Sequence, residues 1–491
     1  MSWTFLLLSS CLLRQAEEAP RPRDLVLTGV TVIDGTGAPR RSNLTVVIAA
    51  GRIRTLGKAG EVSVPEGAQV VDSTGKFLIP GLWDMHVHTG SKEIFFPLFL
   101  ANGVTGVRDM GGDLERLEGG NLSVRFETLD RWRREVIEGK VPGPRIVAAG
   151  PFVDGPKPVW PSSIAVADEA AARQAVSALK KRGGDFVKVY EVLPRDAYFA
   201  IADEARKRGL PFAGHVPYSV SAAEASDAGQ KSIEHLTGIL LACSAREAEA
   251  RDDILERLSA QGFGVKAKST VPKTSTEPRR GINLLETYSD EKARALFARF
   301  ARNGTWQVPT LSVAHVSAFI DDERVTKSPQ LKYLPISLRE AWSSKTNVFF
   351  KDRRPEYSLV RKREFQKELE IVGAMHRSGV GLLAGSDAAN PYVVPGFSLH
   401  EELVLLVEAG LSPTAALETA TRNPAEYLGL RDSLGTVEPG KIADLVLLDA
   451  DPTVDITNTR KIAAVLVGGR WISKREIEEM LAVLEAMAAK S

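Results

Sequence analysis

The alternation of strand-like and helical patterns through the middle of the chain is the feature that most constrains its fold. Short apolar runs, typical of buried strands, alternate with amphipathic segments such as "DEAAARQAVSALKKRGG", whose closing glycines suit a helix end. Eight such units predict an α/β fold, specifically a (β/α)8 TIM barrel. The candidate strands are Leu82–His88, Gly103–Met110, Arg145–Phe152, Asp185–Glu191, Pro211–Val216, Ser232–His235, Gln307–Val313 and Gly379–Asp387.

The spacing between the last three candidate strands is too long for simple strand–helix units. We therefore expect two helical insertions, Ala242–Arg302 and Ala314–Ile371. The second insertion includes the charged stretch "KDRRPEYSLVRKREFQKELE", which favours a solvated helix face over a binding site.

Two β-rich segments flank this alternating region. "DLVLTGVTVIDG" near the start and "KIAAVLVGGRWI" near the end are rich in β-branched residues and punctuated by turn residues. They predict a small β-sandwich domain built from both chain ends, residues 24–78 and 433–472. The barrel domain, residues 79–432, is inserted between them, and residues 473–491 form a C-terminal helix. A chain of 491 residues is long enough for this division.

The charge balance and the cysteine count exclude several classes of protein. With 63 basic and 62 acidic residues, the formal net charge is +1, which gives no electrostatic reason to expect a nucleic acid partner. Two cysteines rule out a disulfide framework and a thiolate zinc site. We expect a small-molecule substrate and no transmembrane span, and the sequence leaves a homo-oligomer open.

The N-terminal residues 1–23 carry a short apolar run, "FLLLSSCLL". A membrane span takes about 20 apolar residues, so this run is too short to cross a bilayer. It resembles the apolar core of an export signal, and "LSSC", ending at Cys11, resembles a bacterial lipoprotein box. We expect a secreted or periplasmic protein, lipid-anchored through Cys11. The alternative is a disordered N-terminus on a cytoplasmic protein.

A pair of histidines lies in the apolar strand "GLWDMHVHTG". His86 and His88 are two positions apart, so in a strand their side chains point to the same face and can chelate a metal ion. A hydrogen-bonded pair of core histidines is the alternative.

Other polar residues lie within or at the ends of later candidate strands. Lys188 lies within "DFVKVYE", where burial would favour the neutral amine, which can add carbon dioxide beside metal ions and become a carbamate. The alternative is a lysine that reaches solvent or pairs with Glu191. His215, His235 and Asp387 each follow a short apolar strand. Taken together, these residues lie where barrel active sites are built, at the carboxyl ends of the strands.

Five segments, in chain order, carry a family resemblance. "PGLWDMHVH", "FVKVY", "GHVP", "IEHL" and "LAGSD" resemble the motifs of the amidohydrolase superfamily, and the flanking "GTVEPGKIADLVLLDADP" fits as well. The resemblance extends from about residue 24 to residue 472. It implies a metal-bearing (β/α)8 barrel with a β-sandwich assembled from both termini.

The resemblance also implies a ligand set for two divalent metal ions. His86, His88 and Asp387 would hold one ion, while His215 and His235 would hold the second. Lys188, carboxylated, would bridge the two. Zinc is the expected ion, and the nitrogen and oxygen donors suit it. The lysine favours the two-metal subtype, and the style of the sequence is similar to the imidazolonepropionase-like, prolidase-related branch.

The activity implied by this resemblance is hydrolysis of an amide bond, most naturally in a dipeptide or an N-acyl amino acid. Asp387 would take the proton from the attacking water and hand it to the leaving nitrogen. Tyr190 would either donate to the developing oxyanion or simply pack in the barrel. Arg108 could meet a substrate carboxylate, but a salt bridge to a neighbouring acid such as Asp109 is favoured. The remaining histidines are expected to be structural: His315, His376 and His400.

Three other functions stay open at this point, two of them enzymatic and one non-catalytic. A deaminase or a cyclic-amide hydrolase would use the same site, and the carbamate lysine argues mildly against deamination. A phosphotriesterase-like activity would use the same metals. A non-catalytic metal or scaffold protein is disfavoured, because loss of catalysis usually permits loss of ligands.

Overall fold

The computed structural model describes residues 24–112, 124–265, 283–343, 345–347, 349–351, 353 and 355–490. Strands form where β-branched and apolar residues cluster, in short runs bounded by turns. They are β1 Leu25–Val32, β2 Arg41–Ala49, β3 Arg52–Lys58, β4 Gln69–Asp72, β5 Phe77–Pro80, β6 Leu82–Val87, β7 Val104–Asp109, β8 Arg145–Ala148, β9 Val153–Asp154, β10 Ile164–Ala165, β11 Val187–Val189, β12 Phe212–Gly214, β13 Ser232–Glu234, β14 Trp306–Val308, β15 Leu445–Leu448, β16 Ile462–Val467 and β17 Arg470–Ser473.

Helices connect most of the parallel strands, and several begin at a side-chain cap such as Asp168 or Ser221. They are α1 Lys92–Ala101, α2 Phe126–Ile137, α3 Glu169–Arg182, α4 Arg195–Lys207, α5 Ala222–Asp227, α6 Ile239–Ala242, α7 Glu247–Ala260, α8 Asp290–Asn303, α9 Leu311–Ala318, α10 Glu323–Thr326, α11 Ile336–Trp342, α12 Pro355–Arg377, α13 Phe397–Glu408, α14 Pro413–Thr419, α15 Arg422–Tyr427 and α16 Lys474–Ala488, with 3-10 helices at Pro329–Tyr333 and Ile456–Arg460.

The two ends of the chain meet in one mixed sheet of eight strands. Its order is β17-β16-β15-β5-β1-β2-β3, and β4 pairs with β1. The junction between the ends is the antiparallel pairing of β15 with β5, which places Leu445 opposite Pro80. Buried aliphatic side chains from both ends share one hydrophobic cluster, which includes Leu27 and Leu447. Neither end therefore completes this sheet alone.

The middle of the chain supplies parallel strands in two groups, β6-β7-β8 and β10-β9-β11-β12-β13-β14. Backbone contacts continue from one group to the other. The Asp185 amide donates to the Ala148 carbonyl at 2.9 Å, while parallel bridges join Gln307 to Leu382 and Val87 to Ala388. The predicted α/β class is confirmed. The candidate strand Gly379–Asp387 is an extended segment with isolated bridges rather than a regular strand.

The insertions predicted near the last strands are helical in their described parts. The second contains most of α12, a helix of 23 residues that packs against α9. Its side chains do not all face solvent, because Phe365 and Leu369 are buried and Arg361 lines a cavity. The prediction of a solvated face for this charged stretch was therefore wrong for one side of the helix.

Residues 1–23, with the predicted export signal and Cys11, lie outside the described residues, and the predicted localisation stays a prediction. Within the described ranges, none of the helices combines the length and the apolar character needed to cross a bilayer. At the other end of the chain, α16 packs against α1.

Candidate metal centre

The carboxyl ends of the parallel strands surround one cavity of about 350 Å³. His86 is the last residue but one of β6, and His88 directly follows that strand. Lys188 lies within β11. His86 lies buried behind the cavity. The other predicted site residues all line it: His88, Lys188, Tyr190, His215, His235 and Asp387. The topology thus brings together residues that are far apart in the chain, from His86 to Asp387.

The tightest group consists of His86, His88 and Asp387, whose ligand atoms all lie within 4.8 Å of one another. Asp387 Oδ1 is 3.4 Å from His86 Nε2 and 3.3 Å from His88 Nε2. Both His86 Nε2 and Asp387 Oδ1 are buried without a hydrogen-bond partner among the described residues. Buried polar atoms are normally satisfied, so two unsatisfied atoms that face each other fit a metal ion between them.

Hydrogen bonds at Nδ1 fix the orientation of all four histidine rings. When Nδ1–H donates to an oxygen, the lone pair remains on Nε2, as metal-binding histidines require. The Thr310 hydroxyl donates to the Pro309 carbonyl, so it accepts from histidine. The four pairs are His86 with Glu234 Oε2 at 2.9 Å, His88 with the Gly111 carbonyl at 2.7 Å, His215 with Glu191 Oε1 at 3.1 Å and His235 with Thr310 Oγ1 at 2.8 Å.

His215 and His235 form a second, looser pair beside the first group. Their ring centroids are 4.9 Å apart, and the His235 ring is 4.4 Å from the His86 ring. Asp387 reaches towards both groups, because its Oδ2 is 3.7 Å from His235 Nδ1. The arrangement places Asp387 between the two pairs of histidines.

Burial sets the charge of these rings. It lowers the pKa of His86, His215 and His235 well below the usual range, so all three are neutral near pH 7 and able to bind a cation. Burial also acts against the charged form of His88, but the nearby carboxylates of Asp387 and Asp109, together with the Gly111 carbonyl, outweigh it and raise the His88 pKa.

Lys188 is buried, with 1% of its surface exposed, and faces this cluster. Burial lowers the pKa of its amine to about 8, although Glu234 and Asp387 act in the opposite direction. No described residue forms a hydrogen bond or an ion pair with its Nζ, so the alternative of pairing with Glu191 is not what the structure shows. Gly214 leaves room for the side chain, because a Cβ there would lie 2.9 Å from Lys188 Cδ.

Arg108 and Glu234 form a buried ion pair beneath the histidines. The Arg108 guanidinium donates to both Glu234 oxygens, at 2.9 and 2.8 Å, and also to Tyr427. The predicted salt bridge between Arg108 and an acid is confirmed, but the partner is Glu234 and not Asp109, because neighbouring residues of β7 point to opposite faces. Asp109 instead accepts from the backbone amides of Thr89 and Gly111. Glu234 is thus held by a cation on one side and orients His86 on the other.

Tyr190 lines the cavity beside the histidines. Its ring is stacked on Phe152 at 5.0 Å and lies 4.1 Å from the His215 ring. Burial raises the Tyr190 pKa well above its usual range, so the hydroxyl keeps its proton. That oxygen accepts a hydrogen bond from Trp160 Nε1 at 2.9 Å, which leaves its own proton available to a ligand.

Several site residues adopt the left-handed backbone conformation that non-glycine residues rarely use. The φ angles are 63° at Asp387, 56° at His235 and 49° at Thr310. Such conformations cost of order 1–3 kcal/mol each and tend to cluster at functional sites.

Thr310 and Trp160 are functional candidates that sequence reasoning missed. Neither lies in a recognisable motif, and each acts through a neighbour: Thr310 on His235, and Trp160 on Tyr190. The three histidines predicted to be structural do not line the main cavity. His315 packs against Phe319, and His400 bonds Thr459.

Comparisons with known proteins show similarity to amidohydrolases. The model of the amidohydrolase family matches residues 346–472. An imidazolonepropionase from Symbiobacterium thermophilum is 26% identical over 459 residues, covering 87% of this chain and 91% of that protein.

Solved structures share the fold of the chain. A bottromycin amidohydrolase has a TM-score of 0.70 at 24% identity, covering 96% of this chain and 91% of that one. A putative prolidase from Bifidobacterium longum has a TM-score of 0.63 at 23% identity, covering 95% of this chain and 100% of that one.

Proposed function

We propose that the chain is an amidohydrolase, a metal-dependent hydrolase that cleaves the amide C–N bond of a dipeptide or an N-acyl amino acid. One observation carries this proposal. His86 Nε2 and Asp387 Oδ1 are buried, unpartnered and 3.4 Å apart, at the base of a cavity that fits a small molecule.

The proposed centre holds two divalent ions, with zinc the best match to the donor atoms. His86, His88 and Asp387 would bind one ion, and His215 with His235 would bind the other. Lys188, as a carbamate, would be shared by both, since its amine is buried beside them without a competing carboxylate partner. The strand segments that carry these ligands would close into a (β/α)8 barrel.

Bound divalent metals supply a hydroxide nucleophile at neutral pH and polarise a scissile carbonyl. The protein's own groups do the rest of the chemistry. Asp387, facing both histidine pairs, is positioned to accept the proton of the attacking water and deliver it to the leaving nitrogen. Tyr190 keeps its proton and lines the same cavity, so it can donate to the carbonyl oxygen as negative charge develops there.

The likeness to solved structures of a putative prolidase and of a Xaa-Pro dipeptidase supports the proposed dipeptide substrate. The second has a TM-score of 0.62 and covers 92% of this chain. The imidazolonepropionase relative favours a second candidate, hydrolysis of a cyclic amide. The buried Lys188 argues for the first, since it suits the two-metal centre.

The test is a metal analysis followed by a substrate screen on the same preparation. Protein purified with supplied metal is expected to hold nearly two equivalents and to hydrolyse members of a dipeptide and N-acyl-amino-acid library. A reproducible single equivalent with full activity would remove the two-metal proposal. Turnover of imidazolone propionate alone would favour the cyclic-amide candidate.

A further inference from the structure

A row of aromatic side chains runs from the metal centre to the mouth of the cavity. The Phe152 ring lies 5.9 Å from the His88 ring and is stacked on Tyr190. Trp160 continues the row through its hydrogen bond to Tyr190, and its ring is 6.3 Å from that of Phe349. We call Phe152, Tyr190, Trp160 and Phe349 the aromatic wall. All four line the cavity.

The outer end of the wall is open to solvent. Phe349 has 44% of its surface exposed, whereas Phe152 at the inner end has 3%. Burying an aromatic side chain removes a large apolar area from water. An exposed phenylalanine that continues a buried aromatic row into the mouth of a cavity gains this stabilisation when a ligand covers it.

The basic side chains that line the cavity do not draw a ligand away from the exposed ring of Phe349. Among the described residues that line it, the basic ones are Lys188 and Arg361. Arg361 donates to both oxygens of Glu368, each at 2.9 Å, so this guanidinium is already paired with a carboxylate. The cavity therefore offers a metal centre at one end, a neutralised ion pair and an apolar wall.

We propose that the aromatic wall selects amide substrates that carry an aromatic group beside the scissile bond, with Trp160 and Phe349 as the residues that determine this preference. The inference rests on the proposed amide hydrolysis and adds its substrate class. The aromatic group packs against the Trp160 and Phe349 rings while the amide reaches the metal centre. Edge-to-face or stacked packing suits both rings.

The test compares the metal-loaded enzyme on three substrates: N-acetyl-L-alanine, N-acetyl-L-phenylalanine and N-benzoyl-L-alanine. We expect kcat/KM to be roughly tenfold or more higher for at least one aromatic substrate than for N-acetyl-L-alanine. Phe349→Ala should lose most of this preference through KM, so that its kcat/KM for the preferred aromatic substrate falls towards its value for N-acetyl-L-alanine. Equal kcat/KM for all three substrates in the wild type would overturn the proposal, as would an unaltered preference in Phe349→Ala.

Two further variants separate the wall from its surroundings. Phe349→Tyr keeps an aromatic ring and should retain the preference. Leu359→Ala removes an apolar side chain that is 67% exposed on α12 but does not line the cavity, so it should leave all three rates unchanged. Loss of preference in either variant would contradict the assignment.

A binding measurement distinguishes failure of this inference from failure of the proposed function. Calorimetric titration of the metal-loaded protein with L-phenylalanine and L-alanine does not depend on hydrolysis. Tighter binding of phenylalanine that is lost in Phe349→Ala would support the wall even if no amide were hydrolysed. Amide hydrolysis without any difference in binding or kcat/KM would retain the proposed function and overturn the wall.

Discussion

Asp387 Oδ1 and His86 Nε2 lie 3.4 Å apart inside the protein, and neither atom has a hydrogen-bond partner among the described residues. An aspartate and a neutral imidazole nitrogen that face each other in this way are both electron-pair donors. They are stabilised together only by a cation or a proton between them. This relationship makes Asp387 the first residue to test.

We predict that Asp387→Asn lowers turnover more than it lowers metal content. The amide keeps the shape and one oxygen ligand but cannot accept a proton, and loss of a general base costs about 10²–10⁴-fold in rate. Turnover and metal content are measured on the same sample. A variant that binds two metals and hydrolyses amides at the wild-type rate would show that Asp387 is only a ligand. Glu234 is not expected to replace Asp387 as the proton shuttle, because its carboxylate oxygens are already hydrogen-bonded to Arg108 and His86.

Lys188→Ala is expected to abolish activity and to lose bound metal while the fold survives. Removal of the buried amine would eliminate the proposed bridging carbamate, and added short-chain carboxylic acids should restore part of the activity by replacing it. Lys231→Ala is the matched control, because Lys231 is partly buried against the Tyr427 ring but does not line the cavity. Full activity of Lys188→Ala would make this lysine structural.

Glu234→Gln should weaken metal binding by about 10–100-fold without altering the cavity, as expected when the acceptor behind a ligating histidine loses its charge. The same change leaves the buried Arg108 guanidinium with a neutral partner, so the melting temperature should fall as well. Metal affinity is measured by competition with a chelator. Glu224→Gln, which alters an ion pair with Arg195 near the surface, should change neither metal affinity nor activity.

Glu402 should make the free energy of unfolding depend on pH. Burial raises its pKa to about 8, although the Ser312 amide donates to it and acts in the opposite direction. The folded state therefore binds a proton that the unfolded state releases above its ordinary pKa. The stabilisation is complete below about pH 4.5 and declines as the pH rises to about 8, by roughly 1.4 kcal/mol per pH unit.

The difference between wild type and Glu402→Gln isolates this contribution. The glutamine mimics the protonated carboxyl, so denaturant unfolding of the variant should lose this part of the decline between pH 5 and 8. Identical pH profiles for the two proteins would show that Glu402 titrates normally.

The sequence was informative wherever function depends on position along a strand. Residues two apart in β6 share a face, which is why His86 and His88 could be paired from the sequence, and strand ends indicated His215 and His235. The partner of Arg108 could not be found in this way. Glu234 lies 126 residues further along the chain, on β13, and its side chain reaches Arg108 of β7 only in the folded protein.

The helix α12 shows a second limit. Its segment Arg361–Glu370 is rich in charged residues, which is typical of a solvated helix. Yet Arg361 and Glu368 form an ion pair with each other, and both can therefore line a cavity. The charge pattern alone does not reveal whether the charged side chains pair with one another or are hydrated. The outcome depends on which face of α12 packs against α9.

The pairing of β5 with β15 has a consequence for synthesis on the ribosome. Only Gly81 separates β5 from β6, so the barrel segments begin to emerge directly after β5, whereas β15 follows more than three hundred residues later. Until then β5 has β1 on one side and an unpaired edge on the other. Such an edge is a template for pairing with other chains. The nascent protein thus has an unpaired strand edge at β5 until its last segments are translated.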